Sequence, residues 1–171
     1  MSSDAPEEVP APATSGLGRL ERGPDGVRLV FERTLAAPVP RVWSALTDNT
    51  DLARWIGRWS GDPSTGAVDL LMDAEEGAPG ERVTIDACEP PHLLALTVPG
   101  PEGPWPLRLS LAGSADGTTL LRFEHALAEP VDATSIGPGW QYYLDRLDAV
   151  VAGAEVPRSW EPYAALGDRY R

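Results

Sequence analysis

The sequence contains no lysine, and all fourteen of its basic residues are arginine. Without a side-chain amine there is no Schiff-base residue, no anchor for pyridoxal phosphate and no phosphate-binding lysine of the Walker or kinase type. One cysteine and two histidines are too few for an intrachain disulfide or for the usual thiolate-rich zinc sites. No glycine-rich loop follows a strand and opens a helix as a dinucleotide site requires. We therefore expect neither a cofactor nor a bound metal.

Positive charge is also scarce, since 14 basic residues face 26 acidic ones, for a formal net charge of −12. Nucleic-acid binding and attraction to anionic lipid both need a concentrated basic surface. No apolar run approaches the ~18 residues that span a bilayer, and the acidic, proline-interrupted start does not resemble a signal peptide. We expect a cytoplasmic protein that binds neither nucleic acid nor membrane.

The length of 171 residues, 42% of them hydrophobic, predicts one domain with its own apolar core. Residues 1–25 are rich in Pro and Ala and predict a flexible acidic tail. Residues 26–153 carry the regular periodicity of the folded domain. Residues 154–171 form a C-terminal extension whose aromatic side chains should pack back on the domain, because exposing them to water is costly.

Alternating apolar residues predict a first strand over 27–35, followed by two short helices. Five further strands, separated by short Gly- and Pro-rich turns, are predicted at 66–73, 81–89, 92–98, 105–112 and 118–127. Short connections favour antiparallel neighbours. An amphipathic helix over about 136–153 is then available to cover the apolar face of the sheet. The pattern predicts an α+β fold with a six-stranded antiparallel sheet and a cleft between sheet and helix.

Three segments, APVPRVWSALTD at 37–48, LARW at 52–55 and GWQYYLDRL at 139–147, resemble the START-like SRPBCC superfamily. The branch they resemble is that of bacterial homologues of the activator of the heat-shock protein ATPase. The resemblance covers about residues 27–153. It implies a helix-grip fold, a curved sheet around the C-terminal helix with an internal cavity for apolar or amphipathic small molecules. It carries no catalytic set that transfers to these positions.

Two polar residues occupy the apolar faces of the predicted strands. Arg33 is able to grip a ligand carboxylate or phosphate, to pair with a neighbouring carboxylate, or to lie at the cavity mouth. His125 is able to contact a ligand or act as a general base, or to hydrogen-bond to backbone. Trp59 and Trp105 are expected in loops at an opening, where exposure would indicate a ligand or partner. The predicted cavity lining is Phe31, Arg33, Trp55, Leu109, Phe123, His125, Trp140, Tyr143, Leu144 and Leu147.

Cys88, the only thiol, has no nearby histidine in sequence and is expected to be inert. The acidic stretch from Asp69 to Glu76 lacks the spacing of a calcium loop and is expected to be a solvated edge.

Three functions are compatible with these patterns. The leading hypothesis is a non-catalytic protein that binds an apolar or amphipathic small molecule. The second is a co-chaperone-like module that uses a surface patch to contact a chaperone or a second copy of itself. The third is an aromatase or cyclase type of enzyme in which His125 and Tyr143 steer proton transfers.

Overall fold

The computed structural model describes residues 16–72 and 80–171. They form one antiparallel sheet in the order β1-β2-β8-β7-β6-β5-β4-β3. The prediction of six strands was therefore wrong, and the sheet has eight. The strands are β1 Arg19–Gly23, β2 Gly26–Leu35, β3 Arg58–Ser60, β4 Ala67–Leu71, β5 Glu81–Glu89, β6 Leu93–Gly100, β7 Gly103–Gly113 and β8 Thr119–Leu127.

In the part of the chain that the structure describes, four α-helices accompany the sheet: α1 Val39–Thr47, α2 Asn49–Leu52, α3 Ile136–Ala152 and α4 Glu161–Ala164. Pro38 precedes α1 as its N-cap, and the Asp48 carboxylate caps α2 by accepting a hydrogen bond from the Thr50 backbone N–H. The long helix α3 ends at Gly153, whose φ of 69° is in the left-handed region that glycine adopts without strain. The curved sheet and its C-terminal helix form the α+β, helix-grip arrangement that the sequence predicts.

Both additional strands lie at the edges of the sheet. Residues 19–23, which the sequence analysis assigned to the tail, form β1 and pair with β2. These residues are mostly polar and show no alternation of apolar and polar side chains. An edge strand does not need this alternation, because backbone pairing largely holds it in place. β3 is too short for any periodicity, and the Asn49 side chain holds it through two 2.8 Å hydrogen bonds to the Trp59 backbone. The rest of the predicted tail, residues 1–15, lies outside the described residues.

The two faces of the sheet differ sharply in polarity. Alternate residues of β2 and β8 turn inward and join the hydrophobic core. On the outer face, Arg122 pairs with Glu21 at 2.6 Å and with Glu32 at 2.9 Å. Hydrogen bonds from Arg122 to Glu21, and from Arg19 to Glu32, lower the pKa of each carboxyl group. This alternation fixes which side chains are available to line an interior site.

The C-terminal segment, residues 154–171, lies against α3 and the β1–β2 side of the fold. Tyr163 and Tyr170 are buried, whereas 43% of Trp160 is exposed. No helix in the described ranges is long and apolar enough to cross a bilayer.

Candidate functional site

A pocket of about 570 Å³ lies between the inner face of the sheet, the α1–α2 region and the first turns of α3. Its rim includes the exposed residues Glu81, Cys88 and Pro101, so the pocket opens to solvent. The wall is mostly aliphatic and aromatic. Strands β5, β6 and β7 contribute Val83, Ile85, Leu94, Leu96, Val98, Leu107 and Leu109.

Tryptophan dominates the remaining wall. Five of the six tryptophans in the chain line the pocket, namely Trp43, Trp55, Trp59, Trp105 and Trp140. The indole N–H of Trp55 donates to the Ala45 carbonyl, and that of Trp59 donates to the Thr47 carbonyl, both at 2.8 Å. Because their polar edges are satisfied within the protein, these rings offer apolar surface to an occupant.

His125 lies against two of these indoles without lining the pocket itself. Its Nδ1 accepts a hydrogen bond from the Trp140 indole N–H at 3.0 Å, and its ring centroid is 4.7 Å from that of Trp105. An indole nitrogen only donates, so Nδ1 is unprotonated and the neutral ring carries its proton on Nε2. Burial lowers the pKa of His125 to about 4. His125 is therefore a neutral acceptor that orients Trp140.

A β-bulge places Cys88 on the pocket rim. Val83 and Ile85 of β5 line the pocket, and the pairing with β6 then shifts by one residue between Ile85 and Ala87. After this shift, an even-numbered residue, Cys88, lines the pocket. Uninterrupted alternation would have turned it to the outer face. The thiol is exposed and is the only one in the chain.

The opposite face of α3 carries a buried group that we call the polar cluster: Arg33, Gln141, Asp145, Tyr163 and Tyr170. Arg33 contacts Asp145 at 2.8 Å and donates from Nε to the Gly16 carbonyl at 3.1 Å. Asp145 also accepts from the Gln141 amide at 3.2 Å and from the Tyr163 hydroxyl at 2.8 Å. Among the side-chain nitrogen and oxygen atoms of the described residues, only Nη2 of Arg33 is buried without a hydrogen-bond partner.

Tyr170 joins the C-terminal segment to the rest of the polar cluster. Its hydroxyl accepts from the Gly18 N–H at 3.1 Å and donates to the Gln141 side chain at 3.3 Å. Its ring lies where a side chain on Gly137 would be, since a Cβ there would come within 2.3–2.5 Å of ring atoms. Burial raises the pKa of Tyr170 and, together with the Asp145 hydrogen bond, that of Tyr163. The segment is therefore locked to the first half of α3.

The ten residues predicted to line a cavity divide evenly. Trp55, Leu109, Phe123, Trp140 and Tyr143 line the pocket. Phe31, Arg33, His125, Leu144 and Leu147 do not, because they are packed in the core or joined to the polar cluster. The prediction that Arg33 and His125 line the cavity is corrected accordingly, since Arg33 lies in the polar cluster and His125 lies behind two indoles.

Several pocket residues were missed because the pocket is displaced toward β5 and β6. The alternation of Val83 and Ile85, and of Leu94 and Leu96, was the signal that would have found them. Trp59 and Trp105 were expected in loops, but they lie in strands β3 and β7, half-buried on the pocket wall.

No group of His, Cys, Asp or Glu in residues 16–72 and 80–171 is arranged to hold a metal ion. The acidic residues Asp73, Glu75 and Glu76 lie outside the described residues.

The model of the family described as Activator of Hsp90 ATPase homolog 1-like protein matches residues 36–152. The crystal structure of CalU16 from Micromonospora echinospora is 26% identical with a TM-score of 0.72, over 91% of this chain and 96% of CalU16. The protein encoded by BPP1335 from Bordetella parapertussis is 26% identical with a TM-score of 0.70, over 95% and 94% of the two chains. DynU16, a protein in the dynemicin biosynthetic locus, is 25% identical with a TM-score of 0.62, over 74% of this chain and 48% of DynU16. No curated protein matches the sequence.

Proposed function

Since this chain belongs to the family of Activator of Hsp90 ATPase homolog 1-like proteins, we propose that it is a binding protein for an apolar or amphipathic small molecule. The ligand occupies the pocket between the sheet and α3. Binding requires no covalent chemistry, because the walls supply mainly shape and apolar surface.

The pocket itself is the observation that carries the proposal. Protein interiors are close-packed, with few voids larger than a water molecule. In this protein, by contrast, a pocket of about 570 Å³ lies between the sheet and α3. That volume falls within the ~300–1,000 Å³ of ordinary ligand sites. Filling it with an apolar molecule removes aliphatic and indole surface from water, which is favourable by ~25 cal/mol for each Å².

One structural neighbour adds support for a small-molecule ligand. DynU16 lies in a biosynthetic locus, a setting in which small molecules are made and carried. Its likeness to this chain extends over 74% of the chain.

The test uses N-phenyl-1-naphthylamine, an uncharged dye that fluoresces in apolar surroundings. We expect saturable binding at one dye per chain, and we expect bound dye to slow the reaction of Cys88 with a maleimide, because this thiol lies on the rim. Leu96→Trp, which fills the pocket, should weaken dye binding at least ~tenfold, or about 1.4 kcal/mol. Thr84→Trp adds the same ring to the exposed face of β5 and should leave binding unchanged. Unsaturable binding, or equal binding by both variants, would contradict the proposal.

An interaction role is the second candidate, and Trp160 is the observation that favours it. This ring is 43% exposed and stacks on Tyr163 at 6.3 Å. A contact with a heat-shock ATPase through this surface predicts that the protein raises ATP turnover and that Trp160→Ala abolishes the increase. No change in turnover with the unaltered protein would remove this candidate.

An aromatase or cyclase activity is not proposed. It requires His125 and Tyr143 to face one substrate. Tyr143 lines the pocket, but His125 does not, and its Nδ1 is occupied by the Trp140 indole.

A further inference from the structure

We infer that the pocket rejects anionic ligands, so that its occupant is an uncharged or cationic ring compound carrying no acidic group. The inference rests on the proposed function, because it names the chemical class that the pocket takes. It also departs from the expectation that Arg33 grips a ligand carboxylate or phosphate.

The charge of the pocket wall is the first observation. The described lining contains no arginine and no histidine, and the chain has no lysine. Its only ionisable side chains are Glu81, Cys88 and Tyr143. The one full charge on the lining at neutral pH is therefore the negative charge of Glu81.

Three arginines near the pocket are the second observation, because they already have partners. Arg146 donates to the carbonyls of Trp55, Arg54 and Pro157. Arg41 pairs with Asp51 at 2.7 Å. Arg58 is not free either.

The two basic groups nearest the core are occupied as well. Arg33 pairs with Asp145 on the far side of α3, which removes it from the pocket. His125 is covered by Trp105 and Trp140 and accepts a hydrogen bond from the latter. Neither group is placed to meet a ligand carboxylate or sulfonate.

Electrostatics then decides between ligand classes. An anion entering a largely apolar site loses much of its hydration and meets no cationic partner on the described lining, which costs several kcal/mol. The net charge of −12 adds repulsion during approach. Indole faces, in contrast, pack well against uncharged rings and attract cations. Uncharged or cationic ring compounds are therefore favoured over acids of the same shape.

A matched pair of dyes tests the inference. N-phenyl-1-naphthylamine and 1-anilinonaphthalene-8-sulfonate share one ring skeleton and differ by a single sulfonate. We expect the sulfonate to bind at least ~tenfold more weakly than the uncharged dye. Only the sulfonate signal that the uncharged dye displaces is counted, because this fraction occupies the same site.

Charge variants at the rim provide the control. Glu81→Arg should raise the affinity for the sulfonate, relative to that for the uncharged dye, by about threefold, and Glu81→Gln should give an intermediate ratio. Equal or tighter binding of the sulfonate by the unaltered protein would overturn the inference and leave the proposed function standing. Failure of both dyes to bind would overturn the proposed function and the inference together.

Discussion

The two faces of α3 border regions that are filled in opposite ways. On one face, Trp140 and Tyr143 line an open pocket of about 570 Å³. On the other, Gln141 and Asp145 belong to the polar cluster, which the C-terminal segment covers. Buried polar groups need hydrogen-bond partners, so that face is closed by specific hydrogen bonds, although Nη2 of Arg33 is left without one. Apolar walls need no such partners, so the pocket face is able to remain open for a guest. One helix, α3, therefore separates the open pocket from the hydrogen-bonded polar cluster.

The largest effect is expected from breaking the polar cluster at Asp145. The Arg33 and Asp145 side chains are only 7% and 15% exposed, so Asp145→Ala leaves a buried guanidinium without its counter-charge. We expect a loss of about 3–5 kcal/mol in the free energy of unfolding in urea. Asp69→Ala removes an exposed pair with Arg82 and should cost less than about 0.5 kcal/mol.

The combination Arg33→Met with Asp145→Leu should recover much of the lost stability, because it removes both charges together. A loss below about 1 kcal/mol for Asp145→Ala would mean that the cluster is no tighter than a surface pair, and the contrast between the two faces would disappear.

The second effect is a pH dependence on the pocket side. The pKa of His125 is about 4 in the folded protein, against its ordinary value of 6.5, because of burial. As the pH falls from 6.5 toward 4, the unfolded chain takes up a proton that the folded protein resists. The contribution of His125 is therefore fully present above pH 6.5 and is lost on acidification, by an amount on the order of 3 kcal/mol at pH 4.

His125→Asn keeps an acceptor for Trp140 but does not titrate. The variant has the same carboxylates as the unaltered protein and lacks only the titration of His125. Between pH 7 and 4.5 its free energy of unfolding should therefore fall less steeply. Identical slopes would mean that water reaches His125 through the pocket wall.

The smallest effect compares two glycines in the first turns of α3. A Cβ on Gly137 would clash with the Tyr170 ring at 2.3–2.5 Å, whereas one on Gly139 meets nothing within 4 Å. Gly137→Ala should lower the unfolding free energy by about 1–3 kcal/mol. Gly139→Ala should raise it by up to about 0.5–1 kcal/mol through helix propensity. Changes of the same sign would show that the two faces of α3 are equally packed.

Sequence patterns predicted the elements in which apolar residues recur with a regular period over many positions. β2, β8 and α3 are long and strongly periodic, and they appear within one or two residues of their expected bounds. β1 and β3 escaped prediction because backbone pairing and the Asn49 side chain hold them, and neither leaves a hydrophobic period.

The site was harder to predict than the fold, because periodicity tells which residues turn inward but not which of them have empty space beside them. Phe31 and Trp140 both turn inward, yet the space beside Phe31 is filled by Tyr170 from 139 positions away. For Arg33, the sequence analysis left several interpretations open, and one of them was pairing with a carboxylate. The structure shows that Asp145 is the partner. The bulge in β5 has no signature in the residues around Cys88, so no pattern would have turned this thiol toward the pocket.

The tryptophan side chains that line the pocket also have an optical consequence. Five of the six tryptophans line it, so most of the protein's ultraviolet emission originates within contact range of whatever the pocket holds. Entry of a guest should shift or quench this intrinsic signal without any added label. Trp160, outside on the C-terminal segment, supplies a background that Trp160→Phe would remove.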